Sequence, residues 1–343
     1  MNLSSDDKEH YNRSSLIIQK RHPYYILTPP YTRFSAGVKA LHLLCHSLNR
    51  KGEHAYLAIP NVNKYKALVN LDLFTPILTV NHIKHHFSKG LTPITIYPEI
   101  TIGNPLNAPF VIRYVLNFPG LLGGDRRYAD DEFIIAYSKI LCDAVPNCRN
   151  ILYIPTSDPI IFSPFPKIER SGTCFYAGKY KGFGDVKLLD ITKNSVEITK
   201  DKSTSQTQEQ IAELFRRSEL FYCYENSALI TEATLCGCPA VLLQNKYFDK
   251  AIGSMDIGWD GIAWGVNPIE IQRAKDTVHL ARTNYLKLYK SFENQLNEFI
   301  ALTQKKASFI KYEKPINIYK INKPVITKVI FKINNYINKY FYE

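Results

Sequence analysis

Two glutamates, a small polar step between them, two lysines and a third, distant glutamate are the residues here with chemistry to offer. Glu225-Asn226-Ser227-Ala228 follows the apolar run Leu220–Tyr224, and six residues separate Glu225 from Glu232. A carboxylate beyond the end of a buried strand can accept hydrogen bonds from ribose or sugar hydroxyls. Backbone N–H groups at the start of the next helix, here Asn226, Ser227 and Ala228, can meet a phosphate. About fifty residues earlier, Gly178-Lys179-Tyr180-Lys181-Gly182 offers glycines that admit close backbone approach, with Lys179, or second Lys181, as a point charge for a diphosphate. Glu99 closes the strand-like run Ile94–Tyr97-Pro98, where it can contact an acceptor hydroxyl or act as a general base. Ser35-Ala36-Gly37 is a small-residue turn between a first strand-like run and a helix. Each feature also has a plainer reading: a capped helix with one exposed glutamate, a solvated loop, a salt-bridged loop glutamate, an ordinary βα turn.

The elements that must position these groups read as α/β. Ala228–Cys236 is a short helical run stopped by Gly237 and Pro239 and followed by the strand-like Ala240–Leu243, so Leu220–Leu243 is one βαβ unit. Tyr24–Leu27, a helix over about Val38–Lys51 with apolar positions 38, 41, 44, 45 and 48, and His54–Ile59 form another, without a GxGxxG fingerprint. Val111–Leu116 reads as a helix. Glu132–Tyr137, Ile151–Ile154 and Thr173–Ala177 read as strands and Thr207–Arg217 as a helix. Three prolines between Asp158 and Pro166 suggest an extended linker. From Pro268 an apolar helical period continues to about Thr303. His82 and His86 would align on a helix as a metal pair, but without a supporting carboxylate or cysteine pattern they read as a solvated face. Arg126-Arg127, after a glycine-rich loop, suits either a phosphate or open solvent.

The 343 residues suffice for two domains, and no run is apolar for the roughly 18 residues that span a bilayer. The first ten residues are polar, so export is not expected. The seven cysteines are an odd number without a Cys-x-x-Cys, which suits reduced thiols in a cytoplasmic protein. The net charge of +12 implies an anionic partner. Nine lysines against Glu313 and Glu343 in residues 304–343, interleaved with bulky apolar residues, suggest a segment for an anionic membrane surface rather than for nucleic acid.

The run from Glu225 through Glu232-Ala233 to Gly237-x-Pro239 resembles the nucleotide-sugar-binding signature of GT-B glycosyltransferases, one residue shorter between the glutamates than the commonest retaining form. The resemblance implies an α/β fold of two Rossmann-like domains facing a cleft, with C-terminal helices crossing back. The expected organisation is a lead-in 1–22, an acceptor domain 23–157, a linker 158–170, a donor domain 171–268, returning helices 269–303 and a basic tail 304–343. It implies transfer of a sugar to a hydroxyl of a bacterial surface glycan, free or lipid-linked, such as capsule, O-antigen or lipooligosaccharide. Glu232 would accept the ribose hydroxyls. Gly178, Lys179, Lys181, Asn226, Ser227 and Ala228 would hold the donor diphosphate, and Glu225 would touch the donor sugar. The loop with Ser35 and Gly37 would face phosphate or acceptor, and Glu99 would be the base if the enzyme inverts. The two-glutamate pattern leans toward retention. No cofactor beyond the co-substrate and no metal are expected, since Asp-x-Asp is absent. The expected location is cytoplasmic, at the inner face of the membrane. A nucleotide-sugar epimerase or hydrolase on the same scaffold, and a non-enzymatic basic membrane- or nucleic-acid-binding protein, are the alternatives.

Overall fold

The computed structural model describes residues 20–165, 169–183, 186–199 and 204–322. Six strands form the first sheet: β1 (Tyr24–Leu27), β2 (Ala55–Ala58), β3 (Ile94–Pro98), β4 (Phe110–Val115), β5 (Phe133–Ala136) and β6 (Asn150–Ile151). Their order is β2-β1-β3-β4-β5-β6, and every pairing is parallel. The second sheet holds β7 (Thr173–Tyr176), β8 (Val196–Glu197), β9 (Leu220–Cys223), β10 (Ala240–Leu242) and β11 (Ile262–Trp264). Its order is β11-β10-β9-β7-β8, again all parallel. These are two Rossmann-like α/β domains, as the sequence leads one to expect.

Each sheet is covered by helices on its crossovers: α1 (Ala36–Arg50), α2 (Val80–Ser88) and α3 (Lys139–Asp143) in the first half, α4 (Gly178–Gly182), α5 (Gln208–Arg217), α6 (Leu229–Leu235) and α7 (Ser254–Ile257) in the second. Local sequence explains several of their ends. Ser35 and Thr207 accept N–H bonds at the starts of α1 and α5, and Gly237 takes the left-handed conformation after α6.

One expectation fails. Val111–Leu116 is not a helix: Val111–Val115 lie in β4, all six residues of which are buried, and Leu116 follows it. A fully buried strand of a parallel sheet loses its alternation, so a short apolar run has no period by which to tell strand from helix.

The C-terminal stretch is a single helix, α8 (Pro268–Ser308), about 60 Å long at 1.5 Å per residue. Ala274 and Tyr285 pack in the cores of the second domain. Phe292, Leu296, Phe299 and Ala307 pack in the core of the first. The helix therefore crosses from one domain to the other. Beyond it the chain stays on the first domain: Ile316 and Ile321 are buried beside Tyr25 and Tyr97, and Tyr312 meets the edge of Phe87. The expected basic tail is thus partly anchored, and Lys323, Lys328, Lys332 and Lys339 lie outside the described residues. Among the described residues no helix is long and apolar enough to cross a membrane.

The linker is pinned to the second domain. Phe162 is fully buried in its core. Arg216 donates to the carbonyls of Ser163 and Ile161, and Arg282 to that of Pro159.

Candidate functional site

In both sheets the chain first builds outward on one side and then returns to the other, so each has a switch point: between β1 and β3 in the first, between β7 and β9 in the second. Crevices beyond the carboxyl ends of strands at such points are where α/β sheets bind ligands. Here the two crevices open onto one cleft of about 2220 Å³, lined by the residues after β1, β3 and β4 on one wall and after β7, β9 and β10 on the other.

On the second-domain wall, β7 turns straight into α4. A side chain at Gly178 would place its Cβ 2.4 Å from the Tyr176 hydroxyl, so the turn is open only to glycine. Glu225, beyond β9, is 7% exposed. Its Oε2 accepts from the Tyr180 N–H at 3.0 Å, and its Oε1 lies 3.5 Å from Lys179 Nζ. Tyr180 stacks on Tyr224 with ring centroids 5.1 Å apart. Glu225 thereby ties α4 to the neighbouring strand and holds Lys179 at the cleft. Lys181 pairs with Glu197.

Ser227 accepts from the Leu229 N–H at 3.3 Å, at the start of α6. Asn226 caps nothing: its amide donates to Lys250 O (2.9 Å) and accepts from the Ile252 N–H (2.7 Å), fastening the loop after β10. Ala228 leads into α6, and all three residues line the cleft.

On the first-domain wall, Ser35 accepts from the Val38 N–H. Gly37 sits in the first turn of α1 and also lines the cleft, with Leu116 the nearest neighbour of a Cβ at 3.7 Å. Glu99 is 4% exposed and lines the same cleft. Its Oε2 accepts from the Leu116 N–H at 3.1 Å. Burial pushes its carboxyl up to about 7; the Leu116 and Glu99 N–H groups, then Lys179 and Arg113, partly oppose this.

Glu232 is the exception among the expected site residues. It is 3% exposed and does not line the cleft. Its Oε1 lies 3.6 Å from Lys39 Nζ in α1 and 3.5 Å from the Ser157 hydroxyl. The side chain points from α6 into the interface between the domains, where its partners Lys39 and Ser157 themselves line the cleft. Lys39 also donates to Thr156 O at 2.9 Å, and the Tyr285 hydroxyl donates to Ser157 O at 2.7 Å. Lys39, Ser157 and Tyr285 escaped sequence reasoning. The available signal was a lysine amid the apolar positions of α1.

Arg113 was missed as well. Fully buried in β4, it is held by both carboxylate oxygens of Glu132 and by the carbonyls of Thr101 and Gly103. His82 completes the capping box of α2, and His86 bonds the Tyr25 hydroxyl at 2.8 Å. Among the described residues no three of His, Cys, Asp and Glu gather as metal ligands.

No family model matches the sequence, and no curated protein matches it. Solved structures are similar to it at low identity. The glycosyltransferase SnogD from Streptomyces nogalater is 11% identical, with 82% of this chain and 99% of that one covered and a TM-score of 0.40. WaaG, a glycosyltransferase involved in lipopolysaccharide biosynthesis, is 10% identical over 84% and 99% of the two chains, at a TM-score of 0.38. A putative UDP-N-acetylglucosamine 2-epimerase from Listeria monocytogenes is 9% identical over 93% and 97%, at 0.35.

Proposed function

We propose that this protein is a glycosyltransferase that binds a nucleotide-sugar against the second domain and an acceptor hydroxyl against the first. The observation that carries the reading is the pair of facing switch points: the Lys179–Glu225 pair on one wall and a buried, proton-retaining Glu99 on the other. Lys179, with Lys181 behind it, offsets the negative charge that builds on the leaving diphosphate. Asn226, Ser227 and Ala228 line the same cleft, and their N–H groups would help hold the diphosphate. Charge compensation by lysine and backbone in this way needs no metal. Glu225 positions Lys179 and faces the donor sugar, and the loop of Ser35 and Gly37 borders the acceptor.

The two-glutamate spacing favours retention of anomeric configuration. Inversion is the second reading, and the Glu99 environment favours it. A carboxylate near pH 7 in its ionisation can take the acceptor proton as the hydroxyl oxygen bonds to the anomeric carbon and the diphosphate leaves. NMR of the product anomer decides between them.

The acceptor we favour is a bacterial surface glycan, reached at the inner face of the membrane through the lysine-rich C-terminal segment. An epimerase or hydrolase would consume donor without any acceptor. A non-enzymatic basic protein would bind no nucleotide at all.

The test is a thermal-shift screen against UDP, GDP, CMP, dTDP and their sugars. A nucleotide at 100 times its dissociation constant adds about 2.7 kcal/mol of stability. One class should stabilise the wild type and do so far less in Lys179→Ala. If no nucleotide stabilises the protein, the proposal fails.

A further inference from the structure

The charge on the two walls of the cleft is distributed unequally. On the second-domain wall the lysines already have carboxylates: Lys179 lies beside Glu225 and Lys181 beside Glu197. On the first-domain wall Arg33, Lys66 and Arg126 line the cleft, and Glu99 is the only carboxylate on that wall among the described residues. That carboxyl retains its proton to about pH 7 and so offsets little of their charge.

None of these three cations makes an ion pair with a described residue. Asp125, the chain neighbour of Arg126, is turned away to accept from the Gly103 N–H at 2.6 Å. Glu209, in the first turn of α5, does not line the cleft. Its carboxyl is lowered first by its own N–H and by the Thr207 hydroxyl, and by Arg33 least of all.

Lys66 and Arg126 are exposed and Arg33 is half-buried, and two of the three side chains rest on a neighbouring group. The Arg126 stem lies over Gly120, where a Cβ would come 2.7 Å from its Cγ, so the bare backbone of a left-handed glycine makes room for it. Arg33 sits over the Phe34 ring at 4.4 Å. The Tyr31 N–H holds Leu68 O at 2.9 Å, which fastens the loop carrying Lys66 at the cleft.

Resting on the proposed function, we infer that the acceptor is a glycan bearing a fixed negative charge, a carboxylate or a phosphate, near the hydroxyl that is glycosylated. The donor diphosphate does not account for these cations, because they stand on the opposite wall from the lysines that would meet it. Exposed single pairs contribute little, but several cations converging on one anion inside a cleft give preference.

The experiment uses the full chain saturated with whichever nucleotide stabilises it. Binding of lactose, 3′-sialyllactose and N-acetylglucosamine 1-phosphate is titrated by ligand-observed NMR at low salt and at 0.3 M NaCl. We expect one charged probe to bind at least about fivefold more tightly than lactose at low salt. The preference should shrink at high salt and vanish in the triple variant Arg33→Gln, Lys66→Gln, Arg126→Gln. Tighter binding of the sialylated probe names a carboxylate, and of the phosphate probe a phosphorylated sugar. The nucleotide-induced thermal shift of the variant shows that it is folded. Equal or undetectable binding of all three probes while a nucleotide still stabilises the protein overturns the inference and leaves the glycosyltransferase reading standing. Failure of every nucleotide overturns both.

Discussion

Replacing Glu99 by glutamine isolates the one carboxyl lining the cleft whose ionisation burial clearly shifts. Glutamine keeps an oxygen for the Leu116 N–H and cannot ionise. Folding moves the Glu99 carboxyl from 4.5 to about 7, first through loss of water around the ionised form. Below about pH 4.5 the group is protonated in folded and unfolded chains alike and contributes nothing. Between about pH 4.5 and 7 the unfolded chain releases its proton while the folded one keeps it, so stability falls as pH rises. Above about pH 7 both forms are ionised and the cost is constant. At about 1.36 kcal/mol per pH unit across that window, the full cost is about 3 kcal/mol.

The assay is chemical denaturation of wild type and Glu99→Gln at pH 4.5 and pH 8, compared as a difference of differences so that every other titrating group cancels. Glu99→Gln should gain about 3 kcal/mol on the wild type between the two pH values, and 13C NMR of the glutamate side chains should show one carboxyl titrating near 7 that the variant lacks. A stability difference that stays flat from pH 4.5 to 8 refutes the argument. If Glu99 also takes the acceptor proton, kcat/KM rises through about pH 7 in the wild type, and the variant lacks that rise and is about 10²- to 10⁴-fold slower above it.

Three further outcomes follow from packing. Arg113→Met leaves Glu132 buried without its partner and should cost about 3–5 kcal/mol by urea denaturation, most of it recovered in Arg113→Met/Glu132→Leu. Gly124→Ala forces a Cβ to within 2.1 Å of Glu99 O at a φ of +80°, so the variant should lose more than about 1 kcal/mol and lower the melting temperature. Lys39→Met strands Glu232 in the interface, and limited proteolysis should then cut faster in the segment between the two domains while the melting temperature falls.

The two βαβ units, the glycine stop at Gly237 and the switch-point residues Glu225 and Lys179 were legible because each obeys a local rule: a buried run, a cap, a left-handed glycine. β4 was not legible, because a strand buried on both faces carries no alternation, and its Arg113 imitated the polar position of a helix. The orientation of Glu232 was illegible for a different reason. Motif spacing places a residue on an element but not on a side of it, and the partner that turns this side chain inward, Lys39, lies on the other domain. The unusual state of Glu99 was equally hidden. Its position at the end of β3 could be read, but the closure of the loop with Gly124 over its backbone depends on long-range packing.

The Lys39–Glu232 pair has a geometric meaning that neither residue has alone. Ser35 stands at the N-cap of α1 and Ala228 at that of α6, so Lys39 and Glu232 each lie one helical turn inside their helix, on sides that meet. The two helices therefore start at the two switch points and are joined to each other a turn further in. α8 runs across both domains, and Tyr285 on it holds Ser157 beside the same carboxylate. Three connections thus converge at the base of the cleft, and a buried charge left without its partner costs several kcal/mol. Opening the domains at this point would expose or strand both charges. The segment of Asn226 to Ala228 on one side and the loop of Ser35 on the other are thereby tied together through the helices they lead into. A site whose two halves are held at a set spacing loses little freedom when donor and acceptor bind, which is the condition under which positioning contributes most to rate.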